Sequence, residues 1–314
     1  MMTVALIYGG QGCEREVSIS GFRHLFPILD EIFETLPIII DTNGDWLYKN
    51  KRVFPTVGGF YCPESGESLR VDCAFPLLHG DYGEDGVIQC ALTVARIPYV
   101  GCDGRVGAIC RNKSVVKACA EYLGIPTLPH IALRPGDDLS TLTFPLFLKP
   151  ATLGSSVGAS AVREPSELKS ALERGFSLCD MMIAEPLLED KRELECGYFS
   201  AKGKELFTNA GEILIDGGFY DYERKYERRT ETRALADIPT EVNEAIRDYS
   251  KRLVRYLGIR QISRLDFFLS GEKIYLNEIN TMPGFTPDSL YAKMLSGVGI
   301  PLKRMLRELC EDCL

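Results

Sequence analysis

Three features of the sequence predict an α/β multidomain fold with an open, mostly parallel N-terminal sheet. From Thr3 to Val100, apolar strand-like runs alternate with helically spaced segments, the βαβ pattern. The chain has 314 residues, more than one average domain holds, and 45% of them are hydrophobic, enough for sizeable cores. Near the C-terminus two apolar runs, Ile262 to Leu269 and Ile274 to Ile279, flank Ser270-Gly271-Glu272-Lys273, a turn by composition. That arrangement predicts a β-hairpin.

The elements follow in order. Residues 3–8 read as a strand, followed by Gly9-Gly10-Gln11-Gly12 and a helical spacing from Ser18 to Ile32. Leu36 to Ile40 is a second strand, and Asp45 to Phe54 a small hairpin with Asn50-Lys51 near its turn. Val71 to Leu78 reads as a buried strand, Val87 to Ala95 as a helix and Pro98 to Val100 as a short strand. Arg105 to Leu123 reads as one helix, ended by Gly124-Ile125-Pro126. Strands are expected at Phe144 to Leu148, Ser160 to Val162 and Met181 to Ala184, with a helix from Pro165 to Leu178. A sheet from Glu195 to Ile215, a charged segment from Gly217 to Arg233, a helix from Thr240 to Leu257, the hairpin and a helix near 300–312 complete the chain. The expected domains are 1–104, 105–186 and 187–314.

Charge and composition exclude several classes. A formal net charge of −8 argues against nucleic-acid or anionic-membrane partners. No apolar run reaches the length of a membrane span, and the first strand has no basic region or cleavage site before it, so a cytoplasmic protein is expected. Eleven cysteines without a framework fit a reducing compartment, and Cys310-Glu311-Asp312-Cys313 reads as ordinary packing at the end of an amphipathic helix. Three histidines, His24, His79 and His130, are too few for a histidine-rich metal site.

The hairpin carries the chemistry. Centred near Glu272, it sets Asp266 opposite Glu278 and Arg264 opposite Asn280, and side chains two apart share a face. Two carboxylates, an amide oxygen and a guanidinium on one face suit Mg²⁺ shared with phosphates. The bland alternative is a surface salt-bridge patch, which sits poorly in strands otherwise apolar. Lys149 ends an apolar strand and is followed by Gly154-Ser155-Ser156-Val157-Gly158, small enough for backbone N–H groups to wrap an anion, although no Walker A loop occurs. Glu185-Pro186-Leu187-Leu188 reads as a hinge beside an apolar wall, suited to adenine, with Glu193 and Glu195 placed to reach a ribose. Lys113, alone on a helix, is by itself far more often a solvated lysine than a functional one. The glycine turn lacks a full G-x-G-x-x-G, which disfavours a nicotinamide dehydrogenase. Its acids, Glu14 and Glu16, suit either a substrate ammonium or simple helix capping with Ser18.

Taken together, these segments resemble the D-alanine–D-alanine ligases of the ATP-grasp superfamily, including the D-alanine–D-serine and D-lactate relatives. The resemblance runs from Gly9 to Tyr291. It includes Gly9-Gly10 with Glu14-Arg15-Glu16-Val17-Ser18, and His79-Gly80 with Gly83-Glu84-Asp85-Gly86. It continues through the Lys149 and Ser155 segment, Phe219-Tyr220-Asp221-Tyr222 with Lys225-Tyr226, and Arg264-Leu265-Asp266. It ends with Asn277 to Thr281 and Pro283-Gly284-Phe285-Thr286.

The resemblance implies an ATP-grasp fold with its nucleotide site between the central and C-terminal domains. It implies ATP-driven joining of two D-alanines through an acyl phosphate for peptidoglycan synthesis, with two Mg²⁺ or Mn²⁺ ions and a homodimer. Lys113, Lys149, Ser155, Ser156 and Lys225 would meet ATP phosphates; Glu185 with Pro186, Leu187 and Leu188 would read adenine, and Glu193 the ribose. Asp266, Glu278 and Asn280 would hold the metals. Glu14, with Val17 and His79 nearby, would hold the first D-alanine and connect through Ser155 to Tyr226. Ser289 and Leu290 would receive the second D-alanine. Arg264 and the Gly284 N–H would form the oxyanion site, and residues 217–233 would be a lid.

This chain departs from the family pattern at Arg111, Asp288 and Tyr291-Ala292. Tyr226 and Leu290 favour D-alanine over D-lactate and D-serine as second substrate, while the run from Asn277 to Thr286 also resembles the D-serine relatives. A catalytically silent nucleotide-binding regulator would lack a metal ligand or the oxyanion arginine, and all are present.

Overall fold

The computed structural model describes residues 1–214 and 231–314. The first sheet contains β1 (Thr3–Gly9), β2 (Glu34–Ile40), β3 (Trp46–Tyr48), β4 (Lys51–Arg52) and β8 (Cys73–Pro76), in the order β4-β3-β2-β1-β8. β1 runs parallel to both β2 and β8, and the β3–β4 edge is antiparallel. The expected hairpin turn shifts by one residue: Lys49 and Asn50 form it, with φ of 50° and 62°. Two successive positive φ values match the twist of a tight hairpin. Between β4 and β8 lies a small sheet that the sequence reading misses, formed by β5 (Phe54–Thr56), β6 (Gly59–Cys62) and β7 (Glu67–Arg70). The run Pro98 to Val100 is a single bridge, Tyr99 to Ala74.

Helix α1 (Arg15–Asp30) leaves the glycine turn without the expected side-chain cap, and Ser18 in its first turn anchors it to the sheet instead. The Ser18 hydroxyl accepts from the Gly9 N–H at 2.9 Å and donates to the Leu77 carbonyl, tying the ends of β1 and the β8 chain to the helix. Helix α2 (Val87–Val94) covers the other sheet face with Ile88 and Leu92.

The expected long helix is two helices, α3 (Gly104–Arg111) and α4 (Lys113–Tyr122). Asn112 breaks it: its backbone is extended, and its side chain accepts from the N–H groups of Ser114 and Val115 at 3.1 and 3.2 Å. Asparagine caps helices more readily than it continues them. The break makes Lys113 the first residue of α4.

The second sheet, entirely antiparallel, has β9 (Ile131–Leu133), β10 (Leu146–Pro150), β11 (Ser160–Val162) and β12 (Met182–Pro186) in the order β11-β10-β12-β9, with α5 (Pro165–Phe176) packed against it. The third sheet has β13 (Arg192–Ala201), β14 (Lys204–Phe207), β15 (Gly211–Leu214), β16 (Glu231–Arg233), β17 (Ile262–Ser270) and β18 (Lys273–Asn280), in the order β16-β15-β13-β17-β18, with β14 on β13. Residues 231–233 of the expected charged segment are therefore a strand; 217–230 lie outside the described residues.

Helix α6 (Thr240–Leu257) matches its expected bounds and packs Ile246, Leu253 and Val254 under the third sheet. The chain ends with α7 (Leu290–Gly297) and α8 (Leu302–Glu311). Met305, Leu306 and Leu309 of α8 share a core with Leu25 and Leu29 of α1, so the last helix closes on the first. The eleven cysteines are all free thiols.

Candidate active site

The β17–β18 hairpin pairs Asp266 with Glu278 and Arg264 with Asn280, as the sequence predicts. It does so only because of a bulge. From the turn outward Ser270 pairs with Lys273 and Phe267 with Leu276; the register then shifts, and Asn277 is the extra residue. Burial records the slip: Ile274 and Leu276 are buried, then Ile279. Asn277 and Glu278 are consequently both turned to the side facing β10.

That side borders a cavity of about 310 Å³ between the second and third sheets. Lys113, Lys149, Ser155, Ser156, Glu185, Pro186, Leu187, Leu188, Glu193, Arg264, Asp266 and Glu278 all line it. The charges around it are matched. Arg264 donates from Nε and an Nη to the two Asp266 carboxylate oxygens, both at 2.8 Å, and lies 3.3 Å from Glu195. Burial alone would lower the Arg264 pKa, but Asp266 and Glu195 reverse this and hold it well above its ordinary value. Asn280 donates to Asp266 at 3.0 Å, keeping its own carbonyl oxygen as an acceptor. Lys113 Nζ lies 3.3 Å from Glu278 and donates to the Leu153 carbonyl at 2.6 Å. Burial lowers the Lys113 pKa, and Glu278 opposes that shift.

A second cluster sits at the hinge. Glu185 receives Lys117 at 2.5 Å and Lys149 at 2.8 Å, and Lys149 also donates to the Asn277 side-chain oxygen at 2.8 Å. Burial pushes the Glu185 carboxyl up, yet Lys149 and Lys117 outweigh it and leave it below the ordinary value. The sequence reading misses Lys117. Its signal is the spacing of four from Lys113, which sets both lysines on one face of α4.

The loop after β10 links the cavity to the N-terminal sheet. Ser155 and Ser156 have φ of 53° and 58°, a left-handed backbone that curls the loop. It carries the Ser155 hydroxyl to Glu14, to which it donates a hydrogen bond. Gly80, at φ +68°, leaves room for the same carboxylate: a Cβ there would collide with it.

Beside Glu14, Arg111 bridges two more acids, Glu84 at 3.2 Å and Asp81 at 3.3 Å. Burial pushes the Glu84 carboxyl up to about 7; Arg111 opposes this and Glu14 adds to it. A departure from the family pattern is thus a charge link between α3 and the loop after β8.

Other expected residues lie outside the cavity lining. Asn280 borders a small neighbouring pocket with Arg111, Glu84 and Glu278. His79 is buried in the chain after β8, and Val17 is in the first turn of α1. Ser289 precedes α7 and exchanges a 2.9 Å hydrogen bond with Thr286; Gly284 lies next to it. Leu290 is buried, with one methyl toward Gly211. Lys225 and Tyr226 lie outside the described residues.

Comparisons with known proteins point to one family. Models for the D-ala D-ala ligase N-terminus and C-terminus match residues 60–102 and 121–311. The D-alanine–D-alanine ligase of Deinococcus radiodurans is 37% identical over 98% of this chain and 97% of its own. The chain belongs to the D-alanine–D-alanine ligase family. It is thereby a member of an ATP-dependent ligase family with the ATP-grasp fold. Among solved structures, D-alanyl-alanine synthetase A of Vibrio cholerae matches with a TM-score of 0.90 at 29% identity, covering 99% of this chain and 98% of that one. The VanG D-Ala:D-Ser ligase of Enterococcus faecalis matches with a TM-score of 0.89 at 29% identity, covering 100% and 99%.

Proposed function

We propose that this D-alanine–D-alanine ligase family member joins two D-alanines at the expense of ATP, through an acyl phosphate, to supply D-alanyl-D-alanine for peptidoglycan. The observation that carries the reading is one cavity holding the opposed Asp266 and Glu278 carboxylates together with the Lys113 and Lys149 ammonium groups.

A carboxylate is a poor electrophile, so the γ-phosphoryl group is moved onto the first D-alanine. Lys113, Lys149 and the N–H groups around Ser155 and Ser156 neutralise charge during that transfer. Glu185, with the Pro186, Leu187 and Leu188 wall, accepts from the adenine amine, and Glu193 from the ribose. Glu14, fixed by Ser155 and flanked by Val17 and His79, holds the ammonium of the first substrate. Ser289 and the chain at Leu290 receive the second D-alanine. Its amine attacks the acyl phosphate carbon, and the oxyanion that forms is met by Arg264 and the Gly284 N–H. The carbon–oxygen bond to phosphate then breaks, and the dipeptide leaves with ADP and phosphate.

Asp266, Glu278 and Asn280 would hold Mg²⁺ or Mn²⁺. The donor set fits: it is all oxygen, and its carboxylates already face the cations Arg264 and Lys113. Among the described residues no three His, Cys, Asp or Glu side chains form a metal cage. Two carboxylates and an amide therefore suit ions that also take phosphate oxygens and water. When bound, such ions supply positive charge to the phosphates.

The proposed units are 1–104, 105–186 and 187–314, in a homodimeric cytoplasmic protein. No helix among the described residues is long and apolar enough to cross a membrane.

D-serine as second substrate is the competing reading, favoured by the likeness to the VanG enzyme. The buried, apolar Leu290 offers no side-chain partner for a serine hydroxyl. Mass analysis of products from ATP, Mg²⁺ and D-alanine, alone or with D-serine or D-lactate, tests both. D-Alanyl-D-alanine should dominate; a dominant mixed product would reassign the second substrate, and no product with any acceptor would sink the ligase reading.

A further inference from the structure

The two lysines on Glu185 are not equivalent. Lys149 borders the cavity, as Glu185 does, and also faces Asn277. Lys117 does not border it and is only 1% exposed. It rises from α4 beside the buried Val116 and Ala120, with a further hydrogen bond of 3.4 Å to the Leu128 carbonyl. A lysine this deep loses its hydration and needs a compensating charge; here that charge is the Glu185 carboxylate at 2.5 Å.

We propose that Lys117 is a positioning residue that keeps Glu185 ionised and aimed into the cavity, so that the site selects a purine with an exocyclic amine over one with a carbonyl at that place. The inference rests on the nucleotide reading given above. An ionised carboxylate can only accept hydrogen bonds. The adenine amine donates, whereas the guanine O6 accepts and would meet a second acceptor. A protonated Glu185 could donate to that carbonyl, so the charge on Glu185 is what discriminates.

Lys149 contributes more to that charge than Lys117 does, but not independently of the nucleotide. Its ammonium is at the cavity wall, where phosphate oxygens compete for it. Lys117, sealed behind Glu185, keeps its partner whatever the cavity holds. Lys117 from α4 and Lys149 from β10 act directly on Glu185; His130, before β9, and Glu121, on α4, belong to the same charge cluster further out.

The test is calorimetric binding of ADP and GDP to the full chain with Mg²⁺ and no amino acid. Wild-type protein should prefer ADP. Lys117→Met should lower the ADP-to-GDP affinity ratio by about 10-fold, the size of one hydrogen bond to a charged group made or lost. Glu185→Gln should lower the ratio as well, and adding Lys117→Met to it should change nothing further, because Lys117 acts through the carboxylate. That double variant removes both ends of the buried pair, so it keeps the test readable where the single variant fails to fold. A folded Lys117→Met protein with the wild-type ratio, or with equal loss of both nucleotides, overturns the inference. So does a further fall in ratio in the double variant. Wild-type protein that binds both nucleotides alike overturns the inference and spares the nucleotide reading; protein that binds neither overturns both.

Discussion

Lys149 Nζ lies 2.8 Å from the side-chain oxygen of Asn277, and Asn277 is the residue that the β17–β18 bulge inserts. One extra residue thus ties the second sheet to the third. It also shifts the alternation along β18 by one residue, so that Ile279 rejoins the core of Ile274 and Leu276 while Glu278 pairs with Asp266 and Asn277 bonds Lys149.

Arg264 holds Asp266 with two hydrogen bonds and also faces Glu195. Arg264→Ala should lower kcat by about 10²–10³, the loss typical of one oxyanion donor. It should also lower Tm, because two poorly hydrated carboxylates lose their shared cation. Mg²⁺ with ADP should recover more Tm in the variant than in the wild type, by resupplying positive charge to Asp266. Lysine should rescue poorly, since it lacks the planar fork. A stable variant with normal kcat would reject both roles.

Glu278→Ala should remove one side of the opposed carboxylate pair and leave Lys113 without its anion. Metal-dependent nucleotide binding should weaken severely, read as the Mg²⁺ concentration needed for half-maximal ADP binding. An unchanged Mg²⁺ requirement would exclude Glu278 as a metal ligand.

Glu84 makes stability depend on pH. Its carboxyl is raised by burial from 4.5 to about 7 in the folded chain. The folded state therefore holds a proton that the unfolded state has lost, and this contribution is present at low pH and fades as pH rises through about 7. Glu84→Gln should flatten the Tm profile between about pH 5 and pH 8. Arg111→Met should carry the fade to higher pH by removing the cation that opposes protonation. Identical profiles for wild type and Glu84→Gln would contradict this.

Asn112→Ala should cost about 0.5–2 kcal/mol, the usual loss of a helix N-cap. It should also weaken nucleotide binding, because the capped start of α4 aims Lys113 at Glu278. A lower Tm with unchanged ADP affinity would show that the cap serves stability alone.

Much of this was legible in the sequence. The hairpin, its opposed acids and α6 are set by local patterns of alternation, turn composition and helical spacing. Centring the hairpin on Glu272 pairs Asp266 with Glu278; the two-residue turn by itself opposes Asp266 to Asn277, and the bulge makes up the difference. Periodicity on either side of Asn112 nearly agrees and reads as one helix; the capping side chain divides it into two. Lys117 carries no local signal beyond its spacing from Lys113, and only the fold brings Glu185 over it. The Arg111 link to Asp81 and Glu84 joins segments distant in sequence, which no local pattern records.

The acyl phosphate is the centre of the account, and one isotope experiment tests it most directly. D-Alanine labelled with ¹⁸O in its carboxylate is turned over with ATP and Mg²⁺, and the released phosphate is analysed by mass. Attack of the carboxylate on the γ-phosphorus, followed by amine attack on carbon, leaves one carboxylate oxygen with the phosphate. Phosphate carrying one ¹⁸O per dipeptide is the predicted result; unlabelled phosphate, or AMP in place of ADP, would contradict it.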